Sequence, residues 1–166
     1  MNRRTTRKTT DLSGRGFRIA LIVSEFNSHI TEKLRAGALQ CLRDHKVRDH
    51  DVRTFVCPGA FEIPQVAAKI TASQAWDAVI CLGAVVRGET PHFEYVSSET
   101  ARGIQDVALR SGIPLVFGVL TTNNNRQALA RAGGKHGNKG WDAALTALKM
   151  IHLFKKIPRE TPRRRR

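Results

Sequence analysis

The sequence predicts an α/β domain: a four-stranded parallel sheet covered by helices on both faces. Two observations carry this. Four runs of strand length are nearly all apolar, the pattern of strands buried on both faces. Each run is followed by a polar loop and then by apolar residues at helical spacing, in the order β-α-β-α-β-α-β-α-α. Strands that return through a helix run parallel and need a cover on each side.

The elements follow in order. The first strand is Phe17-Arg18-Ile19-Ala20-Leu21-Ile22-Val23-Ser24, and Glu25-Phe26-Asn27-Ser28 is a polar loop holding one aromatic. The helix predicted over 29–45 shows Ile30, Leu34, Ala38, Cys41 and Leu42 on one face, with Ser28 as its N-cap. Residues 52–57 form the second strand. It ends in Pro58-Gly59-Ala60-Phe61-Glu62-Ile63-Pro64, a turn whose second proline suits the first turn of a helix running to about Ser73. The third strand spans 78–86. A helix over 92–110 is closed by Ser111-Gly112, with glycine at the position that favours a left-handed backbone. Residues 113–120 make the fourth strand, 121–125 its loop and 126–132 a short helix. The segment 133–140 breaks the pattern, and an amphipathic helix follows over 141–154 through Ala144, Leu145, Leu148, Ile151 and Leu153. Right-handed crossovers leave few topologies, and a flavodoxin-like strand order, giving a three-layer sandwich, is the simplest.

At 166 residues and 18.5 kDa, with 41% apolar residues, the chain suits one domain. No run approaches the ~18 apolar residues of a membrane span, and the basic start is not followed by the apolar stretch of a secretory signal. A cytoplasmic location is expected, with a fragment of an organelle transit sequence as the alternative reading of the Arg- and Thr-rich start. Cys41, Cys57 and Cys81 are odd in number, far apart and set among apolar residues, so they read as reduced core thiols and not as disulfides or metal ligands. The net charge of +14 is unevenly spread. Residues 1–16 and 155–166 hold 12 of the 28 Lys and Arg but only Asp11 and Glu160 among the 14 acids, a net +10 that leaves +4 on the body. The expected organisation is therefore a basic flexible tail over 1–16, a folded domain over 17–155 and an Arg-rich tail over 156–166. Such tails either aid solubility or attract polyanions without sequence preference.

The stretch Cys81 to Tyr95 organises the chemistry. A buried strand runs into a polar loop at the start of a helix, whose free N–H groups favour anions, and ligands of open α/β sheets bind at the strand ends. Arg87, Glu89, Thr90 and His92 are expected to converge there, joined on the same edge by Phe26, by Ala60, Phe61 and Glu62, and by the 121–125 loop. Phe26 and Phe61 either fold back on the core or stack on a flat ring. His92 either caps its helix or exchanges protons, and composition does not separate the two. Arg131 and Lys139 read as solvated helix-end charges, and the 135–140 segment resembles a weak anion-binding turn. No Walker loop, Rossmann glycine triplet or Gly-x-Ser-x-Gly elbow is present.

Five motifs in register, Ser24-Glu25-Phe26-Asn27, 58–64, 86–95, 117–121 and 131–141, together resemble the lumazine synthases across residues 17–155. The resemblance implies a cofactor-free condensation of a ribitylaminopyrimidine with dihydroxybutanone phosphate, the penultimate step of riboflavin biosynthesis. It implies that Phe26 stacks on the pyrimidine and that Ala60, Phe61 and Glu62 line the ribityl chain. Ala84, Val85 and Val86 would bind the heterocycle edge through their backbone, and Glu89, Thr90 and Arg131 the phosphate. His92 would be the general acid/base, with Phe117 and Lys139 supplied by a neighbouring subunit. Glu25, Ala60 and Phe61 depart from the residues common in the family. The resemblance further implies a homo-oligomer, either a pentamer or a sixty-subunit icosahedral shell, with riboflavin synthase or a polyanion as possible cargo. A module that binds flavin or lumazine without turnover, and a nucleic-acid-binding protein read from charge alone, are the rival readings.

Overall fold

The computed structural model describes residues 12–158; 1–11 and 159–166, which make up most of the two expected tails, lie outside the described residues. The chain runs β1 (Ile19–Ser24), α1 (Ser28–Asp44), β2 (Val52–Cys57), α2 (Ile63–Ala72), β3 (Ala78–Val86), α3 (His92–Ser111), β4 (Leu115–Thr122), α4 (Asn125–Arg131), β5 (Ala132–Gly134), β6 (Gly137–Asn138) and α5 (Lys139–Lys156). The main sheet has the order β2-β1-β3-β4, with every neighbour parallel, which is the flavodoxin-like arrangement. From β1 the chain steps outward to β2 and then crosses back over β1 to β3. Successive right-handed crossovers in opposite directions put α1 on one face and α2 and α3 on the other.

The two faces explain the apolar strands. Ile19, Leu21, Val23, Ile80 and Leu82 point toward α1 and α5 and pack with Ile30, Leu34, Ala38 and Leu148. The alternate residues Ala20, Ile22, Val79 and Cys81 point toward α2 and α3 and pack with Ile63, Ala67 and Ile104. A strand with a helical layer on each side has no polar position to offer. Only the edges differ: Val56 on β2 and Phe117 on β4 are 65% and 43% exposed.

Several boundaries depart from expectation for local physical reasons. Ser28 does not cap α1. It is the first helical residue, and Asn27 takes the cap position in a left-handed conformation (φ 61°) without a side-chain capping bond. β4 extends through Thr121 and Thr122 because both pair with β3, opposite Val85 and Val86. The expected 121–125 loop thus shrinks to Asn123 and Asn124, and the Asn124 side chain caps α4 by accepting from Gln127 N at 2.9 Å. The 133–140 break holds most of a small antiparallel pair, β5–β6, with Gly133 (φ 109°) inside β5 and Gly137 (φ 74°) at the start of β6 in conformations where a side chain would be strained. α5 starts early, at Lys139, because Asn138 Oδ1 accepts from Gly140 N (2.8 Å) and Trp141 N (3.3 Å). All three cysteines are free and buried. Burial is the main cause pushing the Cys57 thiol up to about 11 and Cys41 up to about 12, and it raises Cys81 as well, so none is a poised nucleophile. No helix among the described residues is long and apolar enough to cross a membrane.

Candidate active site

All four strands of the main sheet point their C-terminal ends to one edge, and short bonds stitch the loops there together. Glu25 N donates to Cys57 O (2.8 Å) and Phe26 N to Pro58 O (2.9 Å), which ties the loop after β1 to the loop after β2. Arg87 N donates to Thr122 O at 2.8 Å, carrying the β3–β4 ladder one step past the strand end. Thr31 Oγ1 donates to Ser24 O at 2.8 Å beneath the first loop. Phe26 is left 71% exposed and Phe61 about half exposed. Ala60 is buried and Glu62 half-buried; a Cβ on Gly59 would lie 2.9 Å from the Glu62 carboxylate, so glycine leaves that side chain its place.

On β3, Ala84 and Val85 are buried and Val86 is half-buried. Glu89, Thr90 and His92 are exposed on the loop and first residue of the 20-residue helix α3. Arg87, expected beside them, is otherwise engaged. Its Nη1 lies 2.6 Å from Glu94 Oε1, its Nε donates to Asn123 Oδ1 at 3.2 Å, and its guanidinium lies 4.4 Å from the Phe93 ring centroid. It is a strut between α3 and the loop after β4.

Phe117, Arg131 and Lys139 form a separate group. They line one open cleft of about 730 Å³ on the outer side of β4, whose lining includes none of Phe26, Phe61, Glu89, Thr90 or His92. Arg131, expected with Glu89 and Thr90, thus shares a wall with the two residues expected from a neighbouring subunit. Its Nη1 donates to Gln127 O at 3.0 Å, and Lys139 Nζ lies 2.8 Å from Asp142 Oδ2. The expected site residues of one chain therefore fall into two groups that do not share a cleft. The residue that sequence reasoning missed is Asn27, whose Nδ2 donates to Ala84 O at 2.9 Å and so joins the Phe26 loop to β3. An asparagine between an aromatic and a helix start was its available signal, because asparagine tolerates the left-handed region.

A family model described as 6,7-dimethyl-8-ribityllumazine synthase matches residues 16–155. The chain belongs to this family. It is also 52% identical, over 146 residues covering 88% of this chain and 94% of the relative, to the 6,7-dimethyl-8-ribityllumazine synthase of Chlorobium phaeobacteroides. As a member of the family it is a transferase that condenses 5-amino-6-(ribitylamino)uracil with 3,4-dihydroxy-2-butanone 4-phosphate to 6,7-dimethyl-8-ribityllumazine.

For a lumazine synthase the Asn27 clip has a testable consequence. Asn27→Ala is expected to lower stability by about 1–2 kcal/mol, from the strained backbone and the lost bond, and, on the stacking role proposed below for Phe26, to raise KM for the pyrimidine about tenfold. Asn27→Gly keeps the backbone conformation without the bond; it is expected to recover stability but not KM. Steady-state kinetics beside thermal melts separate the two effects, and an unchanged KM in both variants would refute the clip.

Proposed function

We propose that the condensation runs in a site built by two copies of the chain. One copy contributes Phe26 as the stacking platform, Ala60, Phe61 and Glu62 along the ribityl chain, the backbone of Ala84, Val85 and Val86 at the heterocycle edge, Glu89 and Thr90 at the phosphate, and His92. The other contributes Phe117, Arg131 and Lys139 across the interface. The observation that carries this reading is the grouping of those last three residues in a cleft apart from the first half-site. The cleft's apolar rim supports it, since Leu109 and Phe154 are 76% and 38% exposed beside Phe117, more aliphatic and aromatic surface than a solvated face needs.

The chemistry assigns each part a task. The pyrimidine amine attacks the ketone of the butanone phosphate to give a carbinolamine, which loses water to form an imine. Phosphate then leaves, and closure by the ribitylamino nitrogen with loss of water completes the ring. His92, exposed at the start of α3, moves protons between the amine, the departing oxygens and solvent. Arg131 offers the fork of N–H donors that fits a phosphate, and the N-terminus of α3 adds its free N–H groups. The larger assembly we propose is a sixty-subunit shell of pentamers in the cytoplasm, with a lone pentamer as the outcome that a sedimentation mass would show instead. Riboflavin synthase or a polyanion is the cargo proposed for such a shell.

Mixing the two substrates with purified protein and following lumazine absorbance tests the reading. Turnover is expected, with kcat about a hundredfold lower in His92→Ala. A His92→Ala enzyme at full rate would remove the proton-transfer role. A wild-type protein that binds lumazine tightly without making it would be a binding module.

A further inference from the structure

We propose that Arg87 is a positioning residue for the condensation: its guanidinium clamps the loop that carries Glu89, Thr90 and His92 to the loop that leads to Arg131. The inference rests on the roles proposed above for those four residues and adds a fifth that acts through them.

The first loop needs a clamp because packing does not hold it. Gly88, Glu89, Thr90, Pro91 and His92 are all exposed, and a methyl on Gly88 would meet no atom within 4 Å. What fixes this loop is its ends. At the start, Arg87 N donates to Thr122 O at 2.8 Å. At the far end, Glu94 N donates to Pro91 O at 2.9 Å, and the Glu94 carboxylate returns to Arg87, with Oε1 2.6 Å from Nη1. The Arg87–Glu94 pair thus closes residues 88–93 into a loop bound at both ends.

The same guanidinium reaches the second loop. Its Nε donates to Asn123 Oδ1 at 3.2 Å. Asn123 N donates to Gln127 Oε1 at 2.9 Å, and Gln127 O accepts from Arg131 Nη1 at 3.0 Å. A chain of bonded residues therefore runs from the 88–92 loop through Arg87, Asn123 and Gln127 to Arg131. Both sets of groups assigned to the phosphate, Glu89 with Thr90 and Arg131, hang from it. In the two-copy site proposed above these sets serve different pockets, so one clamp sets phosphate groups of two neighbouring sites.

An exposed ion pair alone would clamp weakly, and the Arg87 and Glu94 side chains are 44% and 58% exposed. A third restraint makes the difference. The guanidinium lies 4.4 Å from the centroid of the Phe93 ring, and Phe93 is half-buried against the core on the α2 and α3 side of the sheet. Over that floor the planar fork points Nη1 at Glu94 and Nε at Asn123, two directions that the single nitrogen of a lysine cannot serve together. This separates clamping from direct attraction of the phosphate, which a lysine would still perform. The pyrimidine side is tied by other bonds, from Glu25 N, Phe26 N and Asn27 Nδ2, none of which involves Arg87.

The experiment measures KM for each substrate, with the other saturating, and a thermal melt for wild type, Arg87→Ala, Arg87→Lys, Glu94→Ala, Glu94→Gln and the double variant Arg87→Ala/Glu94→Ala. Arg87→Ala, Arg87→Lys and Glu94→Ala are each expected to raise KM for the butanone phosphate about tenfold and to leave KM for the pyrimidine within about twofold of wild type. Glu94→Gln keeps an oxygen for Nη1 and should restore the wild-type KM within about twofold. The double variant should be no worse than Arg87→Ala, since both changes open the same clamp. Melts are expected within about 2 °C of wild type, because exposed pairs contribute little to stability. A wild-type KM in Arg87→Lys would mean that the charge acts on the phosphate directly, and Glu94→Gln as impaired as Glu94→Ala would mean that Glu94 acts by its own charge; either overturns the clamp. So does a parallel rise of both KM values with a lowered melt, which is loosening of the whole fold. Wild-type turnover with unchanged KM in Arg87→Ala overturns this inference alone, whereas a wild-type protein without turnover removes the proposed site and this inference with it.

Discussion

Oligomers co-assembled from His92→Ala and Arg131→Ala chains are expected to regain about a quarter of wild-type activity, although each variant alone is slower by about a hundredfold or more. The losses follow from the roles proposed above: removing a general acid/base costs roughly 10²–10⁴ in rate, and removing a preorganised charge on the leaving phosphate costs about 10²–10³. The recovery follows from geometry. Arg131 lies in the β4 cleft with Phe117 and Lys139, while His92 lies at the start of α3 and does not line that cleft. If a site takes His92 from one copy and Arg131 from the next, random mixing supplies an intact His92 in about half the sites and an intact Arg131 in about half of the partners. About a quarter of the sites then carry both. If both residues served one site from a single chain, every chain in the mixture would be defective and no activity would return. Co-expression, followed by the lumazine assay on the mixed population, reads the difference directly.

The same two residues show where a sequence is readable and where it is not. The parallel sheet could be read because its strands are sandwiched: Ile19 and Ile80 serve one core, Ala20 and Val79 the other, and no position is left for a polar residue to blur the pattern. The turn at Gly112 was readable because a left-handed residue closing a helix calls for glycine (φ 71°). Boundaries set by a distant partner were not. Thr121 and Thr122 look like loop residues until β3 pairs with them, and Ser28 looks like a cap until Asn27 is held in place by Ala84 O. The site divides in the same way. Phe26, Phe61, Glu89, Thr90 and His92 sit just after parallel strands, a position that topology dictates once the sheet is known. Arg131 sits at the end of a seven-residue helix after β4, and nothing in its neighbours along the chain tells which copy's pocket it faces. Arg87 was expected to converge with Glu89, Thr90 and His92, and its engagement elsewhere was not legible because its partners Glu94 and Asn123 lie 7 and 36 residues away.

Gly140→Ala is expected to be the most disruptive single-methyl change in the chain, lowering the thermal midpoint by about 5–10 °C. Helix propensity argues the other way, since alanine is better than glycine inside a helix by about 0.5–1 kcal/mol. Packing decides it. Gly140 is buried in the first turn of α5 where it crosses α1, and a Cβ there would overlap the backbone carbonyl of Leu34, which has no rotamer to escape into. The helices would have to separate, at a cost of about 2–4 kcal/mol. The crossing is further pinned by Asn138, which caps α5 and donates to Lys33 O at 2.9 Å, while Gly37 leaves room for that side chain. Moving α5 also moves Lys139, the adjacent residue on the cleft. Loss of activity should therefore accompany loss of stability, and it should persist at temperatures where the variant is still fully folded by circular dichroism. Gly88→Ala is the control for stability. Gly88 lies in the loop after β3, where an added methyl would meet no atom within 4 Å, and its melt should match wild type. A Gly140→Ala protein that melts with wild type would mean that α1 and α5 pack less closely than the crossing at Leu34 requires.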